Sequence, residues 1–292
     1  MRQIHRAAVA MMLFGALFTG CDKSTDATDT SVLYEDAAEA ISAGVGDNSG
    51  GATESFADVT IAAGGGTVSS AMPVMDAGDA VTAGTPVYDP VTGWWTVTVS
   101  RAFDGALMTR SITRTYQYQF QKNGVQQKDR INGSDTATAL KFRIVSGTGT
   151  VRTARLSHTL TQLSGAWTTS DLNKDTVTIT LDSTYVRSAI DTITTRNAVR
   201  TYNGTLTLSA ISVKAPRYRP LLAASWRAEF HHAISGTVSG NYTATITMQK
   251  GDLYKERSVN RDFTITLGGG EGNLNFKGGN RYGIDLHDGQ RN

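Results

Sequence analysis

The chain has little cysteine and begins with only a short apolar run. One of its 292 residues is a cysteine, Cys21, so no disulfide can form within the chain. Stability must therefore come from burial and strand pairing. The uncharged run from Ala7 to Phe18 is shorter than the roughly 20 residues that a membrane-spanning helix needs. Because Arg2 and Arg6 precede this run, it predicts a signal peptide covering residues 1–20.

Several enzyme motifs are also missing. No serine stands in a Gly-x-Ser-x-Gly elbow, and Gly64-Gly65-Gly66 is followed by neither Lys-Ser/Thr nor a helix pattern. Acidic residues after Pro90 are few and lie mostly at predicted turns, which gives no carboxylate pair for glycoside cleavage. The sequence therefore predicts no catalytic residue and no cofactor.

The residues up to and including the cysteine follow a short, recognisable pattern. Phe18, Thr19, Gly20 and Cys21 resemble the lipobox of bacterial lipoproteins, although Phe18 stands where leucine is usual. The resemblance implies cleavage before Cys21, a diacylglyceryl group on its sulfur and often an acylated new amino terminus. Two or three acyl chains, at about 0.8 kcal/mol per buried CH₂, hold a protein stably to a membrane. We therefore expect a lipid anchor in the bacterial envelope, on the periplasmic or surface side. The alternative is secretion with a free thiol.

Charge is distributed unevenly along the chain. From Cys21 to Pro90 there are 12 acidic residues and one basic residue, Lys23, whereas from Val91 onward 25 basic residues face 14 acidic ones. Three interpretations are open. The two parts present separate solvated surfaces, the acidic arm lies on the basic face of its own domain, or that face binds an anionic partner such as lipid headgroups or a polyanionic glycan.

The arm divides into a tether and a loosely packed part. Residues 21–31 are polar and acidic with no large apolar side chain, which predicts an unfolded tether. Ser31 to Gly44 has the caps and apolar spacing of a short helix. The remainder of the arm, 32–85, is rich in Gly and Ala, and Phe56, Val59 and Ile61 form a candidate docked piece.

From residue 86 to 292 the pattern changes to alternation of apolar and polar residues. Lys122-Asn123-Gly124 and Asn203-Gly204 are typical of hairpin turns. The fold class predicted is all-β, an antiparallel meander of about ten strands forming a curved open sheet or a barrel, with the arm helix covering an open side. The alternating segments are 95–99, 116–120, 140–144, 154–160, 177–181, 206–210, 226–234, 244–248, 263–267, 274–276 and 282–286.

Two candidate metal sites have weak patterns. Asp171, Asn173 and Asp175 have the oxygen spacing that opens a calcium loop, but Thr176 replaces the required glycine and a strand pattern follows, which favours a polar turn. His158 and His232 both fall in inward rows of predicted strands. They are metal ligands or an acid-base pair if their strands are neighbours. Without a third ligand, hydrogen-bonded core histidines are the favoured interpretation, and no metal is predicted.

The densest basic and aromatic stretch is a loop. Lys214, Arg217, Tyr218 and Arg219 form a candidate contact for an anion or glycan, with arginine forks for oxyanions and a tyrosine ring for stacking. A solvated connection is the alternative. Nucleic acid is not expected as a partner outside the cytoplasm.

The sequence predicts an envelope lipoprotein that is held to a membrane through lipidated Cys21. Its expected role is non-enzymatic, in binding a protein, glycan or lipid, or structural. The alternative is an enzyme acting on a cell-envelope or extracellular polymer through a site that the sequence does not assemble. Convergence of His158, His232 or carboxylates in one cleft would favour the enzyme.

Overall fold

The computed structural model describes residues 25–65, 79–106, 108–194, 196 and 198–292. The chain forms two compact units, Met1–Asp36 and Ala37–Asn292. In the first unit the described part is helical. The second, which we call the main unit, contains the sheet and the residues of every candidate site within the described chain.

Within the described residues, thirteen strands form one antiparallel sheet that does not close on itself, which confirms the predicted all-β fold and selects the open form. Its main path is β1-β3-β4-β8-β9-β10-β11-β12-β13-β14-β15, with β2 beside β3 and β5 beside β4, and β6 pairs with β7 separately. The strands are β1 Asp79–Ala83, β2 Val87–Tyr88, β3 Trp95–Asp104, β4 Met108–Lys122, β5 Val125–Gln127, β6 Ile131–Asn132, β7 Asp135–Thr136, β8 Ala139–Thr153, β9 Leu156–Ser170, β10 Thr176–Thr194, β11 Val199–Pro216, β12 Ser235–Lys250, β13 Leu253–Gly268, β14 Glu271–Phe276 and β15 Arg281–Asp285.

Alternation places one side of each long strand in the core. An aromatic row crosses β4, β8, β9 and β10, where Tyr116, Phe142, Trp167 and Tyr185 are all fully buried and successive ring centroids lie 5.1, 6.0 and 5.8 Å apart. The opposite face is polar, and threonine and serine hydroxyls pair across strands there, as in the 3.0 Å contact between Thr98 and Thr115. The sheet therefore has one apolar side and one hydrated side.

Three helices accompany the sheet: α1 Thr25–Val45, α2 Ala52–Ala63 and α3 Ala223–Ala233. Helix α1 begins six residues before the predicted start at Ser31, so the end of the predicted tether is helical. Helix α2 lies where a loosely packed arm was predicted, and every one of its residues is buried. Phe56, Val59 and Ile61 are fully buried, so the candidate docked piece is confirmed.

Helix α2 is enclosed by the sheet and by α3. Its backbone lies close to the backbones of β8, β9, β11 and α3. Its side chains also reach β3 and β4, which lie on the far side of β8 and β9 in the strand order. Contacts along this width of sheet require the strands to curve around the helix, which accounts for its complete burial.

The strand predicted at residues 226–234 is wrong, because residues 226–233 belong to α3, which ends just before Ile234. The prediction depended on period-two spacing of Trp226, Ala228, Phe230, His232 and Ile234. In the helix Arg227, Phe230 and His231 are the buried residues, at helical spacing. The ring of Trp226 packs on that of Phe230 at 4.9 Å between centroids.

One of two predicted hairpin turns is confirmed. Asn123 and Gly124 have φ of 50° and 83° and connect β4 to β5, as a two-residue turn requires. Asn203 and Gly204 instead lie within β11, which continues to Pro216. A Cβ added to Gly204 would lie 2.5 Å from the hydroxyl oxygen of Tyr242, so this glycine admits a neighbouring side chain and forms no turn.

Candidate functional site

Arginines on the inner face of the sheet meet the acidic residues of α2. Arg101 on β3 donates to both Glu54 and Asp58, with 2.6 Å between Nη2 and Asp58 Oδ1. Arg114 on β4 lies 2.7 Å from Glu54 through Nη2 and Oε2. Tyr116, two residues further on β4, donates its hydroxyl proton to Asp58. All five side chains are buried, so these charges are neutralised inside the protein.

The charges of Glu54, Arg101 and Arg114 stabilise each other in their ionised forms. Burial alone raises the pKa of Glu54, but the guanidinium groups of Arg101 and Arg114 outweigh burial and lower that pKa to about 2. Burial opposes the charge of Arg101, yet Asp58 and Glu54 raise its pKa above the ordinary value. The pKa of Tyr116 is raised, chiefly by burial, so the phenol keeps its proton for Asp58.

Buried arginines also bind the turn between α1 and α2. The backbone carbonyls of Asn48, Ser49 and Gly50 accept hydrogen bonds from Arg110, Arg187 and Arg114, at 3.0, 3.2 and 2.6 Å. The carboxylate of Asp47 accepts from both terminal nitrogens of buried Arg227 on α3. The acidic arm therefore lies on the basic inner face of its own domain along this stretch, one of the three interpretations of the charge pattern.

His158 lies in an inward row, as predicted, but its nitrogens are both engaged. Nδ1 is bonded to Asp191 Oδ1, and Nε2 accepts from Arg187 Nη2 at 2.9 Å. Burial and the charge of Arg187 lower the pKa of His158, against the opposing effect of Asp191. A neutral imidazole that already accepts from a guanidinium has no lone pair to take a proton from a substrate.

His232 does not join His158. It is exposed on α3, where its ring lies 4.1 Å from that of His231. The buried histidine of this pair is His231, whose ring stacks on His287 at 4.6 Å between centroids. One ligand atom from each of Asp47, His231 and His287 lies within 4.8 Å of the others. Sequence reasoning missed this group, because its members are far apart in the chain and the strand prediction assigned the wrong histidine to the interior.

The basic loop is only partly available for binding. Lys214 is exposed at the end of β11, and the side chain of Arg219 is about half exposed, with Nη2 2.7 Å from Asp175 Oδ1. Arg217 also faces Asp175, at 3.8 Å. Tyr218 is 3% exposed, and its ring meets that of Trp226 edge-on at 5.1 Å. The anion contact stays a prediction, in which Lys214 and Arg219 are the accessible members.

The segment with calcium-like spacing is a polar turn. Asp171 has φ of 64° and lies 2.8 Å from the ammonium group of Lys174, and β10 begins at Thr176. Asp182, at the position of the twelfth calcium ligand, lies in β10 and accepts from Thr168 Oγ1 at 2.6 Å. The favoured interpretation from the sequence, a turn followed by a strand, is confirmed here.

Cys21 and the apolar leader lie outside the described residues, so lipid attachment stays a prediction. No helix in the described part of the chain is both long and apolar enough to cross a membrane. Comparison with protein-family models, with curated proteins and with solved structures found no match. The candidate sites therefore depend on the chain's own residues and geometry.

Proposed function

We propose that this chain is a lipid-anchored protein of the bacterial envelope with a non-enzymatic binding or structural role. The observation that carries the proposal is the filling of the sheet's inner face by α2. Buried ion pairs from Arg101 and Arg114 hold this helix in place, so the concave face is occupied by the protein's own chain. The inward pair of His158 and Asp191 also has no nitrogen free for acid-base chemistry. Function is then left to the outer surface.

Most of the acidic arm belongs to the main unit, so the chain that links this unit to Cys21 is shorter than the sequence predicted. The main unit begins at Ala37, sixteen residues after Cys21, whereas the sequence predicted a flexible arm that reached residue 85. Even a fully extended chain of sixteen residues reaches only about 55 Å. A lipid on Cys21 would keep the main unit at the surface of its membrane, which suits a partner in or near the bilayer.

The exposed basic end of the sheet suits an anionic partner. Lys174 and Lys214 contribute charge around Asp171, and burial together with the charge of Arg217 lowers the pKa of Arg130. With Arg219 this makes five basic residues; the carboxylates that face them are Asp171 and Asp175. Both a lipid phosphate and an anionic glycan offer the oxygens that arginine and lysine bind.

The anchor is tested by replacing Cys21 with serine and growing cells with labelled palmitate. We expect label and carbonate-resistant membrane association in the unchanged protein and loss of both in Cys21→Ser, because the serine oxygen does not replace the acylated sulfur. A Ser31→Ala variant is the matched control, since it alters the same arm without touching the lipobox. Equal label and equal membrane retention in Cys21→Ser would contradict the proposal.

The basic end is tested by a Lys214→Ala, Arg219→Ala double variant. A basic residue near an anionic surface contributes about 1 kcal/mol, so binding to vesicles containing anionic lipid should weaken roughly 30-fold and become less salt-dependent. Soluble anionic glycan is the second arm of the experiment and distinguishes the two partners. Lys141→Ala with Arg152→Ala, which removes the same charge from exposed positions on β8, should leave binding unchanged. Equal loss in both double variants would refute a specific role for the basic end.

A further inference from the structure

Three distant parts of the chain meet where Asp47, His231 and His287 come together. Asp47 lies in the turn between α1 and α2, His231 in the last turn of α3, and His287 just after β15. A ligand atom from each lies within 4.8 Å of the other two. Imidazole nitrogen and carboxylate oxygen are the ligand types of zinc sites with three protein ligands.

The backbone fixes two of these residues against each other. Asp47 donates its N–H to the carbonyl of Leu286 at 2.9 Å, and Asn48 donates to the carbonyl of His287 at 2.8 Å. The carboxylate of Asp285 accepts from the N–H of His287 at 2.8 Å. These bonds hold Asp47 and His287 in place from main-chain positions, so the side chains are presented by rigid segments.

The two imidazoles carry nitrogens that the protein itself does not use. Nδ1 of His231 and Nδ1 of His287 are buried atoms without a hydrogen-bond partner. His231 as a whole is only 8% exposed, so water does not replace the missing partner over most of its surface. Buried polar atoms are nearly always bonded, so each exception requires an explanation, and a bound ion is one that fits two imidazole nitrogens beside a carboxylate.

The surroundings match what a metal site requires beyond its ligands. Arg227 donates to both oxygens of Asp47 and orients the carboxylate, and each oxygen keeps a further lone pair. If His287 binds through Nδ1, its Nε2 carries a proton that faces Asp288 Oδ1 at 3.9 Å. The amide nitrogen of Asn48 lies 3.3 Å from Nε2, so the Asn48 amide must turn its oxygen toward the ring to accept that proton. Carboxylates and amides in this position commonly fix the ring of a metal-binding histidine.

We propose that Asp47, His231 and His287 bind a divalent first-row transition ion, for which zinc is the best match to two nitrogens and one oxygen. This goes beyond the proposed envelope function, and neither depends on the other. The side chain of His287 is 38% exposed, which gives the ion a route from solvent. Three protein ligands leave one position of a tetrahedral zinc for water or for a donor from a partner.

The test uses the full chain purified in detergent and Zn²⁺ alone, measured by calorimetry, with Co²⁺ absorbance as a report on geometry. We expect one zinc per chain and tetrahedral cobalt bands. His287→Ala should weaken binding by more than the roughly 10–100-fold typical of losing an outer contact. His232→Ala is the matched control, because its ring is adjacent to His231 but exposed and outside the ligand group, and it should bind normally.

Two results would overturn the proposal: zinc uptake that is the same in the unchanged chain and in His287→Ala, or equal loss in His232→Ala and His287→Ala. A measurement on the unchanged chain tests the proposal even if His287→Ala does not fold. In the unchanged chain labelled with ¹⁵N-histidine, zinc should shift the ring signals of two histidines strongly. Shifts spread evenly over all four histidines that follow Cys21 would also overturn the assignment.

Discussion

Replacing Glu54 by glutamine tests whether the buried ion pairs hold α2 in the sheet. The side chain is fully buried between Arg101 and Arg114, and glutamine keeps its shape while removing its charge. Both guanidinium groups then lose a carboxylate in a place that water does not reach. We therefore expect Glu54→Gln to lower the free energy of unfolding strongly.

Two lines of reasoning give the size of the effect. Removing one partner of a buried ion pair costs about 3–5 kcal/mol, and the lower end applies because Asp58 stays 2.6 Å from Arg101 and 3.6 Å from Arg114. The pKa of Glu54 falls from 4.5 to about 2, and each unit corresponds to 1.36 kcal/mol, which gives about 3 kcal/mol. Both therefore predict a loss of about 3 kcal/mol at neutral pH.

Urea unfolding followed by the fluorescence of the tryptophans, among them fully buried Trp167, measures this loss. Glu229→Gln is the matched control, since it makes the same chemical change at an exposed position of α3 and should stay within about 0.5 kcal/mol. Because the pKa of folded Glu54 is lowered, its contribution is complete above pH 4.5 and disappears as the pH falls toward 2. Glu54→Gln should therefore flatten the pH dependence in this window. A loss below 1 kcal/mol, or an unchanged acid slope, would refute the reasoning.

The remaining predictions concern the turn before α2 and the inward histidine. Gly50 has φ of 72°, and a Cβ there would lie 2.3 Å from Ile112 Cδ1, so Gly50→Ala should lower the free energy of unfolding in urea by about 2–4 kcal/mol. Gly124 has a similar φ but open space around it, so Gly124→Ala should lower it by only about 1 kcal/mol. Equal losses in the two variants would contradict a packing role for Gly50. The pKa of folded His158 is lowered, so the unfolded chain takes up a proton first and stability should fall as the pH drops below 6.5. His158→Asn should be less sensitive across that range, and identical pH profiles would show that the site does not contribute.

The sheet could be predicted because its signal is local. Long strands alternate buried and exposed residues over much of their length, as in β4, where Ile112, Tyr116 and Phe120 are buried. Strands that bury one face and are joined by short turns are typical of an antiparallel sheet. The sheet has more strands than the roughly ten predicted, because β1, β2 and β5 have only two to five residues and show too little alternation to be recognised.

Helix α2 could not be predicted because it is buried on all sides. A helix with one buried face shows a repeat of apolar residues, but Ala52–Ala63 is buried throughout and mixes alanine, threonine and acidic residues without such a stripe. The missed signal lay in the sheet. Arg101, Arg110 and Arg114 occupy the inward rows that otherwise hold apolar residues, and inward charges require opposite charges nearby. The acidic arm was the nearest source of them.

The same ion pairs explain how a helix with few large apolar residues holds one position in the sheet. Glu54 and Asp58 are four residues apart and so lie on one face of α2, where Arg101 reaches both carboxylates. A shift of α2 by one turn would leave a carboxylate in the interior without a guanidinium, and the cost of an unpaired buried charge opposes that shift. We infer that these charges determine the position of α2 more than they add stability.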